Sequence, residues 1–281
     1  MKKDLNNIDQ EVLSIAKNHY ENFPVTSLLI PKDFRKDIAI VYWFARTADD
    51  LADEGNIDSE IRIKKLNEFE ENFINSLSGF GSNEYFETLV KTIKQRNITE
   101  THFLDLLSAF KQDVIKKRYE NFDDVLHYCK RSANPIGRIL LEIFNIDLEE
   151  AKIYSDKICT ALQLTNFLQD TLVDFEKGRI YLPQNELKTF LVTEKMFEIK
   201  QNNPNIKALV KENVDRTQGL FDEGKNLLTF LSGRFKTEIK WTIAGGERIL
   251  SKIRKNDFDV LNVRPKLTKI DFILLFIKSI I

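Results

Sequence analysis

The sequence has little of what fixes many folds by covalent or local means. Its two cysteines, Cys129 and Cys159, lack metal-type spacing. That excludes a disulfide framework and indicates a reducing compartment, the cytoplasm. Glycine and proline are scarce, at 10 and 6 residues. They never gather into a linker, so a single domain over 1–281 is expected, although the length alone would allow two. Charge of one sign is missing too: 42 basic against 43 acidic residues leave a formal net charge of −1. Nucleic-acid binding normally shows as a basic surplus, so that class is set aside. No apolar run reaches the ~18–20 residues of a membrane span. The opening stretch MKKDLNNIDQEVLSIAKNHY is too polar for a secretion signal.

Strands are missing as well, because the β-branched and aromatic-rich stretches carry helical periodicity. Amphipathic helices are expected near 5–20, 33–54, 58–77, 83–95, 99–116, 121–131, 133–145, 147–174, 184–201, 204–231, 233–255 and 267–280. Asp33, Asp58, Ser82 or Asn83, Thr99 and Asp147 have the side chains of N-caps. Pro31, Gly79, Gly81, Gly178, Pro183 and Pro204 fall between helices, where breakers belong. The expected fold is an all-α bundle with a central cavity.

What the chain does have is two acidic clusters far apart in sequence. One is Asp49, Asp50 and Asp53 in YWFARTADDLADEG; the other is Asp170 and Asp174 in QLTNFLQDTLVDFEKGRIYLP. Helix geometry puts residues four apart on one face, roughly 6 Å from each other. Each Asp-x-x-x-Asp is then a like-charged pair that a cation between the carboxylates would relieve. Tyr42, Arg46, Asp49 and Asp53 continue one polar stripe; Gln163, Asn166, Asp170 and Asp174 form another. Apolar residues flank both (Val41, Trp43, Phe44 and Ala45; Leu162, Leu164, Phe167 and Leu168), so each stripe points inward rather than to bulk water. Carboxylate and amide oxygens are hard donors suited to Mg²⁺, which commonly bridges to a phosphate. Two such helices facing each other would bind Mg²⁺ and a diphosphate, with Arg46 as a forked phosphate partner.

These motifs make the chain resemble the squalene/phytoene synthase family. The first is similar to its Tyr-x-x-x-Arg-x-x-Asp-x-x-x-Asp; the second resembles its Gln-x-x-Asn-x-x-x-Asp-x-x-x-Asp with trailing Gly-Arg-Ile-Tyr-Leu-Pro. The resemblance runs from His19 to about Phe276. It implies the isoprenoid synthase bundle, Mg²⁺ dependence and prenyl diphosphate substrates. HYENFPV at 19–25, FKQDVIKKRY at 110–119, YCKRSANPIGRILL at 128–141 and FKTEIKWTIAGGERIL at 235–250 are similar to the bacterial hydroxysqualene synthase subgroup. That subgroup converts presqualene diphosphate and water into hydroxysqualene and diphosphate. Ser132-Ala133-Asn134-Pro135-Ile136-Gly137, Gln169 and Arg248-Ile249-Leu250 depart from the pattern of two-step squalene synthases. Head-to-head prenyltransferase activity stays open as an alternative, as does a non-catalytic assembly subunit of the same fold.

On this resemblance, Asp49, Asp53, Gln163, Asn166, Asp170 and Asp174 are the expected Mg²⁺ ligands. Arg46, Arg179, Lys130, Arg131 and Arg138 are expected to hold diphosphate oxygens. His19, Asn22 and Phe23 line the diphosphate end of the pocket. Tyr42, Arg46 and Tyr128 are the expected catalytic side chains. Phe23, Tyr42, Phe44, Tyr128, Leu164, Phe167 and Leu168 would wall a dry pocket where ring faces stabilise a carbocation. Asn134, Ser132 and Tyr128 would orient one water. Asp113 belongs either to the same polar rim or to a structural ion pair. The apolar tail DFILLFIKSII reads as a core helix, with docking on the inner membrane face the competing option. The resemblance also implies partner enzymes of the same pathway.

Overall fold

The computed structural model describes residues 30–55, 57–81 and 83–280, with the side chains at 276 and 278–280 also left aside. Expectations for the helix over 5–20, and for His19, Asn22, Phe23 and Ser82, lie outside the described residues. Among the described residues the fold is all helix, with one isolated backbone bridge between Arg118 and Ile180. The backbone divides into two compact units, 1–115 with 135–152 and 116–134 with 153–281.

The first unit holds α1 (Lys32–Asp53), α2 (Ser59–Leu77), α3 (Glu84–Arg96), α4 (Thr101–Ile115) and most of α6 (Asn134–Ile143). Its core is a knot of phenylalanines. Phe44 is fully buried, with ring centroids 5.2 Å from Phe69, 5.1 Å from Phe73 and 5.1 Å from Phe103. Phe44 is therefore a packing residue, a correction to its expected place in a pocket wall. Buried Asp37 on α1 accepts from Arg96 Nε on α3 at 2.7 Å. Glu142 on α6 accepts from the Thr99 backbone (2.9 Å) and hydroxyl (2.7 Å) and meets His102 Nε2 at 3.2 Å. These bonds tie α3 to α1 and α6 to the start of α4. Pro31 caps α1, so Asp33 lies inside its first turn rather than at the N-cap. Arg62 closes the other end, donating to the carbonyls of Glu54 (2.8 Å) and Gly55 (2.6 Å).

The second unit holds α5 (Phe122–Ser132), most of α7 (Glu149–Gln169), α8 (Thr171–Glu176), α9 (Gln184–Thr189), α10 (Glu194–Glu198), α11 (Pro204–Gly224), a 3₁₀ turn (Lys225–Thr229), α12 (Gly233–Lys255) and α13 (Lys269–Ile280). Two glycines let α11 and α12 close onto α7. A Cβ at Gly224 would stand 2.7 Å from Ile158 Cγ1; one at Gly246 would stand 2.5 Å from Phe221 Cζ and 3.0 Å from Leu162 Cδ2. The helix bearing the second acidic stripe is thus clamped at 158 and 162.

Three expected helices are interrupted. The one over 147–174 breaks at Asp170, where the Thr171 hydroxyl donates back to the carbonyls of Phe167 (2.9 Å) and Leu168 (3.1 Å), a side-chain competition that bends helices. The one over 184–201 divides because Leu191 turns left-handed (φ 55°), while the backbone N–H of Val192 donates to the Leu187 carbonyl at 2.8 Å. The one over 204–231 tightens to 3₁₀ after Gly224.

The tail departs from the core-helix reading. Asp271 is buried and accepts from Arg248 Nε and Lys252 Nζ on α12, both at 2.7 Å, and from the Thr268 backbone at 2.8 Å. Burial works against its charge, but these bonds hold its carboxyl well below the usual carboxylate range. Phe272 meets Trp241 edge-on at 6.2 Å. Ile270, Ile273, Leu274 and Ile277 remain on the surface.

Glycine-to-alanine exchange in a helix interior ordinarily gains up to ~1 kcal/mol. Gly245→Ala, whose Cβ would meet Leu267 at an ordinary 3.7 Å, is expected to follow that rule. Gly246→Ala is expected to lose about 1–3 kcal/mol by overpacking against Phe221 and Leu162. Urea midpoints of the two variants check the contrast.

Candidate active site

The first acidic stripe lies on α1. Tyr42, Arg46, Asp49 and Asp53 are half-buried, while Val41, Trp43, Phe44, Ala48 and Ala52 between them are buried. The expected stripe with apolar flanks is present. Arg46 serves several carboxylates at once: Asp50 at 2.6 Å, Glu54 at 2.8 Å and Asp49 at 3.5 Å. One guanidinium cannot neutralise them all. Asp49 keeps 48% of its side-chain surface open, yet the surrounding protein removes enough water to push its pKa up to about 6. Arg46 opposes the shift; Asp53, Asp50 and Asp113 add to it. Asp113 on α4 thereby adds its charge to this cluster.

The second stripe lies on α7 and α8. Gln163, Asn166, Asp170 and Asp174 are half-buried among buried Leu164, Thr165, Phe167, Leu168 and Thr171. Asp174 is driven up to about 6 by burial, against the pull of Arg179, whose Nη2 donates to it at 3.2 Å; Asp170 adds to the rise. Asp170 occupies the break between helices. Its two oxygens accept from Nε and Nη2 of Arg264, the latter at 3.0 Å, a forked pairing that Arg geometry favours. Arg264 carries no signal in the motifs; it lies in the connection between α12 and α13, and only the fold brings it to Asp170.

The segment after α8 is tightly specified. Gly178 sits at φ 81°, a conformation that penalises any Cβ, and the N–H groups of Gly178 and Arg179 return to Phe175 and Asp174 at 2.8 Å each. This glycine-terminated cap is the one expected from the sequence, and it turns Arg179 back toward Asp174. Arg118 braces the turn from outside, donating to the Gly178 carbonyl at 2.7 Å and to both oxygens of Glu194 at 2.7 and 2.8 Å.

Tyr128 on α5 is buried in an aromatic cluster. Its ring lies 5.8 Å from Tyr119, 5.8 Å from Tyr181 and 6.0 Å from Phe167, while Phe167 and Tyr181 stack at 3.7 Å. Tyr181 therefore joins Tyr128 and Phe167 as an aromatic group that the motif reading did not assign. Asn134 is buried with its amide oxygen accepting from Thr160 at 2.9 Å, so that oxygen is committed to packing. Arg131 on α5 lies 3.4 Å from the His127 ring, and Arg138 is half-buried on α6. Neither Cys129 nor Cys159 forms a disulfide.

The donors fit Mg²⁺: they are carboxylate and amide oxygens on half-buried stripes, with the pKa values of Asp49 and Asp174 raised by burial and neighbouring acids. Among the described residues no three or more His, Cys, Asp or Glu side chains close around one point.

The family model for squalene/phytoene synthase matches residues 16–271. The chain belongs to the squalene/phytoene synthase family. It is 32% identical over 266 residues to the hydroxysqualene synthase of Rhodopseudomonas palustris, covering 93% of this chain and 89% of that one. Among solved structures it is similar to the squalene synthase HpnC of Alicyclobacillus acidocaldarius, with a TM-score of 0.84 and 34% identity, covering 92% of this chain and 97% of that one. A dehydrosqualene synthase solved with a ligand superposes at a TM-score of 0.83 with 22% identity, covering 98% and 95%, a likeness of fold. The isoprenoid synthase fold of this family is thus the fold of the chain.

The raised carboxyls set a pH dependence. A folded-state pKa of about 6 against an ordinary 3.8 means the folded protein holds these protons longer than the unfolded chain. Their contribution to stability is full below pH ~4 and is lost as pH rises through about 6. Metal-free protein is expected to melt lower at pH 7 than this pair of groups would allow at pH 4–5. Asp49→Asn should flatten the dependence and leave the pH 7 melting temperature equal to or above wild type. Melting curves across pH 4–8 in chelator check this.

Proposed function

We propose that this protein converts presqualene diphosphate and water into hydroxysqualene and diphosphate. The observation that carries the reading is the similarity to a hydroxysqualene synthase across 93% of the chain, together with both polar stripes intact on α1 and α7–α8. Bound Mg²⁺ would supply Lewis-acid neutralisation of the departing diphosphate. Asp49 and Asp53 on one stripe, and Gln163, Asn166, Asp170 and Asp174 on the other, would hold it.

The chain's own groups do the rest. The carbon–oxygen bond to diphosphate breaks with its electron pair leaving on the phosphate, so cations must stand where negative charge grows. Arg46, Arg179, Arg131 and Arg138 are the assigned guanidiniums. The carbocation left behind needs apolar, aromatic surroundings; Tyr128, Phe167, Leu164 and Leu168 supply them, with Tyr42 on the other stripe. Water then bonds to the cationic carbon and gives up one proton, forming the alcohol. His19, Asn22 and Phe23 are assigned to the diphosphate end by resemblance. Retention of Arg46 and the four aspartates of the stripes counts against a non-catalytic subunit. Substrate and product are long isoprenoids, so contact with the cytoplasmic membrane face and with enzymes that make the diphosphate and consume the alcohol belongs to the same reading.

Purified protein given presqualene diphosphate and Mg²⁺ without a hydride donor, in ¹⁸O-labelled water, is expected to yield an alcohol carrying the label, read by mass spectrometry. Squalene, dehydrosqualene or phytoene from simpler prenyl diphosphates would overturn this reaction and leave the family standing. In the same assay Asp49→Asn or Asp170→Asn is expected to retain less than a tenth of wild-type turnover, a loss of at least ~1.4 kcal/mol of transition-state stabilisation.

A further inference from the structure

The chain's C-terminal helix carries a surface that none of the chemistry uses. On α13 the inner side is fixed by Asp271 and by Phe272 against Trp241. The outer side presents Ile270 (68% exposed), Ile273 (61%), Leu274 (56%) and Ile277 (52%). Their spacing of three, one and three residues is one continuous helical face. A twelve-residue helix is roughly 18 Å long, too short to cross a bilayer, and no described helix is long and apolar enough to do so.

Charge decides what covers this face. Between 263 and 281 the sequence carries Arg264, Lys266, Lys269 and Lys278 against a single acid, Asp271. That acid is buried and neutralised from inside by Arg248 and Lys252. Lys266 and Lys269 are exposed at the start of the helix, beside Ile270, in a chain whose overall charge is −1. Exposed Val263 (49%) extends the apolar surface into the preceding loop. An apolar helix face bordered by cations is the pattern that lies in the plane of an anionic lipid surface.

We propose that the outer face of α13, with Lys266 and Lys269 at its edge, docks the protein on anionic lipid membranes. The proposal names the surface behind the membrane contact in the functional reading but requires no step of the chemistry. Its test measures binding rather than turnover, so either can fail alone.

Full-length protein is sedimented with phosphatidylcholine vesicles and with vesicles containing about one-quarter phosphatidylglycerol. Binding is expected to the anionic vesicles, weakening as salt rises from about 0.1 to 0.5 M. Ile273→Glu with Leu274→Glu should cut it at least ~10-fold, as should Lys266→Glu with Lys269→Glu. Ile61→Glu, at an exposed isoleucine of the first unit, should leave it unchanged. Failure to bind anionic vesicles would overturn the proposal, as would binding untouched by the glutamates on α13. Two further outcomes would also overturn it. A dimer in the ultracentrifuge that Ile273→Glu/Leu274→Glu dissolves would assign the face to a second copy. A fall in melting temperature of more than about 5 °C in that variant would show the face covered by the chain itself.

Discussion

Like charge on half-buried helix faces is the constraint around which each acidic stripe is organised. Two carboxylates at helical i, i+4 spacing repel by roughly 3 kcal/mol at an effective dielectric of ~20. Asp49 faces Asp50, Asp53 and Asp113; Asp174 faces Asp170. The chain answers with arginines already in place: Arg46 shared among three acids, Arg179 on Asp174 and Arg264 forked onto Asp170. Their compensation is incomplete, because Asp49 and Asp174 still favour the protonated form more than a free carboxyl does. A divalent cation with a polyanion is the natural complement of such surfaces.

Rigid surroundings keep that repulsion from being relieved by movement. The phenylalanine core fixes one side of α1, and Arg62 closes its C-terminal end. On the other stripe α7 is held between α11 and α12, and the glycine cap at Gly178 returns Arg179 to Asp174. Backbone order is thus what holds the acids together; the acids themselves would push apart.

The parts legible in the sequence were those that depend on period and local chemistry. The stripe from Tyr42 to Asp53 and that from Gln163 to Asp174 needed only helical spacing, and Gly178 needed only its position after Lys177. The parts that were not legible arise from tertiary competition. Thr171 gives its hydroxyl to the preceding turn and breaks the helix at Asp170, which periodicity alone cannot report. Leu191 adopts a backbone usually reserved for glycine, so the division between α9 and α10 left no mark. Arg264 reaches Asp170 across 94 positions of sequence, and no spacing rule spans that distance. Phe44 looked like a pocket residue because it lies beside the motif, yet its ring points into a cluster drawn from α2, α3 and α4.

The absence of clearance at Gly224 and Gly246 also bears on how this sequence can change over time. A side chain at 246 fits only if Phe221 or Leu162 becomes smaller, and one at 224 only if Ile158 does. Such positions are coupled, so single substitutions are rejected where paired ones are tolerated. Divergence around α7 is therefore expected as linked exchanges on three helices, while surface positions such as Ile61 and Ile199 drift independently.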